Sequence, residues 1–361
     1  MIYLDYQATT PIAPEVKAAM LEWLSGPGEG DGFANPASPY RAGRAASVMV
    51  EGARDAVAAL LPPGGQVVFT SGATEALNWA MSMSAGPKAA LSIEHAAVRA
   101  AMERTGGVDL PVDADGVACA PDPALIPDGG LVAVMLVNNE VGTIQPVEAY
   151  ADAAHAKGSL LLCDAVQAYG RVAIPANVDL VALSAHKLHG PKGIGALWIR
   201  DGVELPSLLV GGSQEHGHRA GTVSPALVAG FGAAARLCAE RWDEDHAHVT
   251  RLWEMAAERF AGWEILGSTE RRYRGNLNLR KDGVNASRVL SDARDVAFSL
   301  GSACASGSGR ASHVLRAMGR TAEEARGAMR IGWGRYTTEA ELNAGIDALL
   351  AAADVQERFA A

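Results

Sequence analysis

The 361 residues predict an α/β fold: a mostly parallel sheet sandwiched by helices, followed by a smaller α+β domain at the C-terminal side. Two observations carry this. Near-continuous apolar runs such as "LVAVMLVN" (131–138) and "SLLLCDA" (159–165) alternate with Ala-rich amphipathic segments. Runs without polar alternation belong to strands covered on both faces. From about Arg236 the pattern changes to a long charged stretch, "RLCAERWDEDHAHVTRLWEMAAERF", which reads as one amphipathic helix leading into a second unit.

The elements follow in order. "QVVFT" (66–70) is a strand, and "SGATEALNWAMSM" a turn and helix. "AALSI" (89–93) is a strand, and "EHAAVRAAMER" its helix. The run 131–138 precedes the helix "PVEAYADAAHAKG". "SLLLCDA", "VDLVALS" (178–184) and "GIGALWIR" (193–200) are three further strands. Past the charged helix, "RGNLNLRKDGVNASRVLSDARDVAFSLGSACASGSGR" reads as strand, turn, helix and strand, then a loop of small residues. Ligands of such sheets sit beyond the carboxyl ends of the strands. The residues to inspect are therefore Ser71–Thr74, His95, Asn139, Asp164–Gln167 and Ser184–Lys187.

Composition narrows the function. A net charge of -10 argues against a nucleic-acid backbone or an anionic membrane as main partner. The start, "MIYLDYQATTPIAPE", has neither a basic n-region nor an apolar h-region, and the apolar runs are too short to span a bilayer. Cys119, Cys163, Cys238 and Cys304 make no C-x-x-C pair, so zinc and thioredoxin-type readings fail. So few cysteines suit a reducing cytoplasm and free thiols.

Singly, the strand-end residues have ordinary explanations. "SGATE" is a helix cap or a phosphate cradle, since helix N-termini present N–H groups to anions. His95 is a cap or a ligand contact, and Asn139 a turn residue or a ligand contact. Asp164 closes a very apolar run, where a carboxylate needs a cation or donors. Lys187, in "LSAHKLHGPKG", is a solvated loop residue or a reactive amine. Together they match what pyridoxal phosphate requires: N–H donors for its phosphate, an amine for its aldehyde and an acid for its pyridine nitrogen.

Ten blocks carry a resemblance over nearly the whole chain. They are "YLDYQATTP", "FTSGATEALN", "EHAAV", "VNNEVGTIQPV", "CDAVQAYG", "SAHKLHGPKGIGAL", "GGSQEHGHRAGT", "GSACASGSG", "SHVLRAMG" and "MRIGWGRYTTEAEL". In this order they resemble the class V aminotransferase-like pyridoxal enzymes, and within them the cysteine desulfurases of the NifS and IscS type. The resemblance implies the fold type I architecture with a seven-stranded sheet. It also implies a large domain over 15–240, and a small domain from 1–14 with 241–361 that carries the cysteine loop.

The implied roles are specific. Lys187 bonds the cofactor, Asp164 pairs with the pyridinium and His95 stacks on the ring. Gln167 and Asn139 flank the phenolic oxygen, and Asn139 also neighbours the substrate. Ala73, Thr74, Ser184 and His186 hold the phosphate, with Thr222 reaching it from the other subunit of a homodimer. Arg330 clamps the substrate carboxylate. Cys304, otherwise a buried small residue or a thiol on a flexible loop, becomes the nucleophile, with His95 as a proton acceptor. The reaction implied takes sulfur from L-cysteine, leaves L-alanine and passes a persulfide to an acceptor protein, such as an iron–sulfur scaffold.

Three departures accompany the match. Tyr40 stands where many relatives have histidine, the link between Gly86 and Ala89 is short, and the chain ends without the longer scaffold-docking tail. Two other readings remain at this point: a class V enzyme acting on another amino acid, such as selenocysteine lyase or aminotransferase, or a non-catalytic assembly subunit.

Overall fold

The computed structural model describes residues 1–301 and 311–360; Cys304 lies outside them. A seven-stranded sheet forms the centre. Its spatial order is Gly65–Thr70, Gly195–Arg200, Leu180–Ser184, Leu160–Asp164, Leu131–Met135, Lys88–Leu91 and Val108–Leu110. Only Gly195–Arg200 runs against the others. The sheet is thus mostly parallel, as the alternating pattern predicts. The strands Leu131–Met135 and Leu180–Ser184 are buried throughout because helices cover both faces. The edge strand Val108–Leu110 has no counterpart in the sequence reading; at three residues, two of them exposed, it carries too little apolar signal.

A second apolar core gathers Leu4 with residues between Val249 and Ala353. Its antiparallel sheet has the order Ser299–Leu300, Met329–Gly332, Asn276–Arg280 and Glu264–Leu266. Ile2–Tyr3 pairs in parallel with Val296–Ala297, so the N-terminal segment joins this second core.

The charged stretch read as one helix is two. Pro225–Glu240 ends and Trp242–Arg259 begins at Arg241, whose φ of -109° and ψ of 16° are not helical. Helical periodicity continues on both sides, so the sequence hides the break. Asp245 accounts for part of it: its carboxylate receives Arg335 Nε at 2.9 Å and lies 3.7 Å from Arg241, which orients the second helix separately.

One glycine sets the site's geometry. A Cβ on Gly195 would lie 2.8 Å from the Gly72 backbone, closer than real contacts allow. The reversed strand can therefore pass beneath the turn opening the helix Ala73–Met83 only because residue 195 has no side chain.

Candidate active site

The strand ends converge on a cavity of about 670 Å³. Ala73, Thr74, His95, Asn139, Asp164, Gln167, Ser184, His186, Lys187 and Arg330 all line it. Thr222 does not line it in a single chain and is exposed. Gln7, Ala8 and Thr9 line it too, although sequence reasoning passed over them.

Lys187 ends the 3₁₀ turn Ala185–Lys187, directly after the strand Leu180–Ser184. Its Nζ donates to the Gln7 carbonyl, and to the Ala8 carbonyl at 2.9 Å. Arg171 donates to the Lys187 carbonyl from behind, and to Gln167 Oε1 at 2.9 Å. Gln167 Nε2 donates to the same Gln7 carbonyl at 2.9 Å. One backbone oxygen of the N-terminal segment therefore positions both side chains.

Asp164 is the last residue of its strand, and Val166 N–H donates to it at 2.9 Å. Burial pushes its carboxyl up to about 6, against the opposing pull of that N–H and of Lys187. Such a group gains from a cationic partner inside the cavity. In the ligand-free protein it is a cost. Its folded pKa exceeds the ordinary 3.8, so its contribution is most favourable below pH 4 and is lost as pH rises through 6. Above that window the penalty is about 3 kcal/mol. Asp164→Asn without cofactor is therefore expected to be about 3 kcal/mol more stable than wild type at pH 8, with the gain shrinking toward pH 4. Denaturant midpoints at the two pH values measure it; equal midpoints at pH 8 would count against the assignment.

His95 caps the helix Ala96–Thr105, and its Nδ1 accepts the Ala97 N–H at 3.2 Å. Burial, and then the Lys187 charge, hold its pKa below 6.5, so the ring is neutral near pH 7. The network assigns the ring proton to Nε2. In this arrangement the ring is a flat wall carrying a donor; accepting a proton at Nε2 requires giving up the Ala97 bond. His186 is depressed to about 4 by burial and by Lys187, Lys192 and Arg171. It stays neutral, with Nδ1 3.1 Å from Thr9 Oγ1.

The helix Ala73–Met83 begins at the cavity wall with Gly72 as cap, so its first N–H groups lack intrahelical partners. Glu75 sits in that first turn, a poor neighbour for an anion. Burial would raise its pKa, but Arg219 at 3.0 Å and the Ser71 N–H at 2.8 Å hold it low and neutralise it locally.

The motif "VNNEVG" divides its labour. Asn138 makes the turn, accepting from Glu140 N–H at 2.8 Å and Val141 N–H at 3.0 Å, while Asn139 faces the cavity. The segment after residue 310 returns to this edge: Ser312 Oγ donates to Glu140 at 2.5 Å, and His313 Nε2 lies 2.8 Å from the Glu94 carbonyl. Glu94 is fully buried, and burial raises its pKa well above the carboxylate range. The sequence reading missed it because an acid beside a candidate histidine looks like a solvated loop residue.

The donor set suits pyridoxal phosphate: a strand-end amine, a buried acid in need of a cation, a flat neutral ring and a helix N-terminus face one cavity. Among the described residues no helix is long and apolar enough to cross a membrane.

The family model "Aminotransferase class-V" matches residues 2–344. A cysteine desulfurase of Frankia sp. (strain EuIK1) is 40% identical, over 96% of this chain and 90% of its own length. Among solved structures, a "NifS-like protein" superposes with a TM-score of 0.86 at 30% identity, covering 96% of this chain and 98% of its own. "SspA in complex with cysteine" gives a TM-score of 0.78 at 30% identity, covering 94% and 100%. The chain therefore belongs to the class-V aminotransferase family and, within it, to the cysteine desulfurases.

Proposed function

We propose that this cavity binds pyridoxal phosphate and L-cysteine, and that sulfur leaves the substrate as a persulfide on Cys304 while L-alanine is released. The observation that carries the reading is the convergence of Lys187, Asp164, His95 and Arg330 on one cavity. When bound, the cofactor supplies an aldehyde for the substrate amine and a pyridinium that stabilises negative charge at Cα. Asp164 holds that pyridinium protonated, and His95 covers one ring face. The N-terminal turn at Ala73 and Thr74, with Ser184 and His186, receives the phosphate, and Asn139 and Gln167 flank the ring oxygen. Arg330 orients the substrate carboxylate. The Lys187 amine takes the Cα proton. Cys304 Sγ, as thiolate, attacks the substrate sulfur: the S–S bond forms, the Cβ–S bond breaks, and L-cysteine plus thiol becomes L-alanine plus persulfide.

The described residues on either side of 302–310 both reach the cavity's edge, which supports the role proposed for Cys304. Ser299 is bonded to Asp5 and Arg330 on one side, and Ser312 and His313 reach the neighbours of Asn139 and His95 on the other. We assign residues 15–240 to the cofactor-binding unit, and 1–14 with 241–361 to the unit that presents Cys304. A homodimer would bring the exposed Thr222 to the partner's phosphate. Exposed Leu21, Leu24, Phe33, Tyr40 and Val48 favour burial against a second copy. The free thiols at Cys119, Cys163 and Cys238 suit a reducing cytoplasm, where a sulfur-acceptor protein, such as an iron–sulfur scaffold, would take the persulfide.

The test is product analysis with L-cysteine as sole substrate, run alongside sedimentation. Equal amounts of L-alanine and transferable sulfur, from a dimer, are expected. Pyruvate, or amino-group transfer without sulfur release, would point to another class V chemistry.

A further inference from the structure

Arg330 is 2% exposed, yet it lines the cavity. A buried guanidinium needs counter-charge and acceptors before any substrate arrives. The structure provides both. Nη2 donates to Asp5 Oδ1 at 2.7 Å and to Ser299 Oγ at 3.0 Å. Ser299 Oγ in turn lies 2.9 Å from each Asp5 carboxylate oxygen. Nη1 donates to the Asn139 carbonyl at 2.8 Å. Three of the five guanidinium N–H groups are thus committed, all on the two Nη atoms. Nε is buried with no partner among the described residues. The plane of the fork is fixed from three directions, by the N-terminal segment, the small antiparallel sheet and the Asn139 turn.

We propose that Asp5, braced by Ser299, is a positioning residue: it holds the Arg330 guanidinium oriented, so that the uncommitted N–H groups meet the α-carboxylate of an amino acid. The proposal rests on reading Arg330 as the carboxylate clamp. Asp5 does not touch substrate. It keeps the clamp from collapsing onto other acceptors, and its effect is confined to ligands that carry the carboxylate.

Ligand pairs differing only in that group test this. L-alanine and ethylamine are titrated into the pyridoxal-phosphate-loaded protein, and binding is read from the change in cofactor absorption, without turnover. Asp5→Ala is expected to weaken L-alanine about tenfold and ethylamine less than about twofold, the scale of a charge-assisted hydrogen bond. Asp5→Asn, which keeps an acceptor for Nη2, is expected to recover most of the L-alanine affinity. Equal weakening of both ligands, or no weakening of L-alanine, overturns the proposal. Arg330→Ala separates the two levels: if it too leaves the L-alanine preference intact, the clamp reading fails; if it alone abolishes the preference, only the role of Asp5 fails. Should Asp5→Ala not fold, Ser299→Ala carries the test, with a loss of about threefold expected for L-alanine only.

Discussion

Lys187→Ala is expected to abolish alanine formation, with a rate loss of about 10⁴-fold or more, because the proposed mechanism asks one side chain to be both the covalent anchor and the proton carrier. The amine sits one short turn past a fully buried strand, and the two carbonyls it meets come from Gln7 and Ala8. Arg171 fixes its backbone oxygen, so the stem starts from a defined point. Among the described residues no other lysine shares this placement; Lys192, also at the cavity wall, follows Pro191 in the next loop. Borohydride treatment followed by peptide mass analysis checks the anchor: the cofactor's mass should appear on the Lys187 peptide of wild type and nowhere in the variant. Turnover near the wild-type rate, or labelling at Lys192, would refute the assignment.

The second large effect concerns sulfur. Cys304→Ser is expected to lower persulfide and alanine formation by about 10³-fold while cofactor attachment at Lys187 survives. A hydroxyl is a far poorer nucleophile than a thiolate near neutral pH. The other cysteines make poor substitutes. Burial raises the Cys163 thiol well above its usual range, with Asp164 and Glu94 adding to it. Burial likewise raises Cys238, against the pull of Arg335 and Arg171. Cys119 is only half-buried, and its carbonyl receives the Tyr150 hydroxyl at 2.9 Å. Serine at 119, 163 or 238 should therefore leave activity largely intact. Persulfide labelling of the four single variants decides it; normal labelling in Cys304→Ser would mean that a different thiol carries the sulfur.

The large sheet and its ligand edge were legible because burial writes itself along the chain: "LLLCDA" ends where Asp164 meets the cavity, and "VDLVALS" ends two residues before His186. What stayed hidden is partnership across the chain. Gln7 carries no signal in its own segment, since it acts through its backbone oxygen, which any residue possesses. Asp5 reads as an acid near an exposed terminus until Arg330 is beside it. Of two adjacent asparagines the sequence already pointed to Asn139, which lines the cavity; what it did not give is that Asn138 makes the turn that presents it. Arg241 breaks a helix without glycine or proline, so the periodicity gives no notice of it.

The bond between Asp5 and Arg330 spans 325 positions of sequence. A chain emerging from the ribosome therefore carries the acid for 325 positions before its arginine is made. Through that interval Leu4 has no core to enter, because the strands and helices that bury it are downstream. Contacts this distant slow folding, because the entropy of closing the chain is lost before the contact rewards it. The sheet edge with Lys187 can form while Arg330 is still missing, so the two walls of the cavity mature at different times. The cavity is complete only when Asp5 and Arg330 have met across that distance.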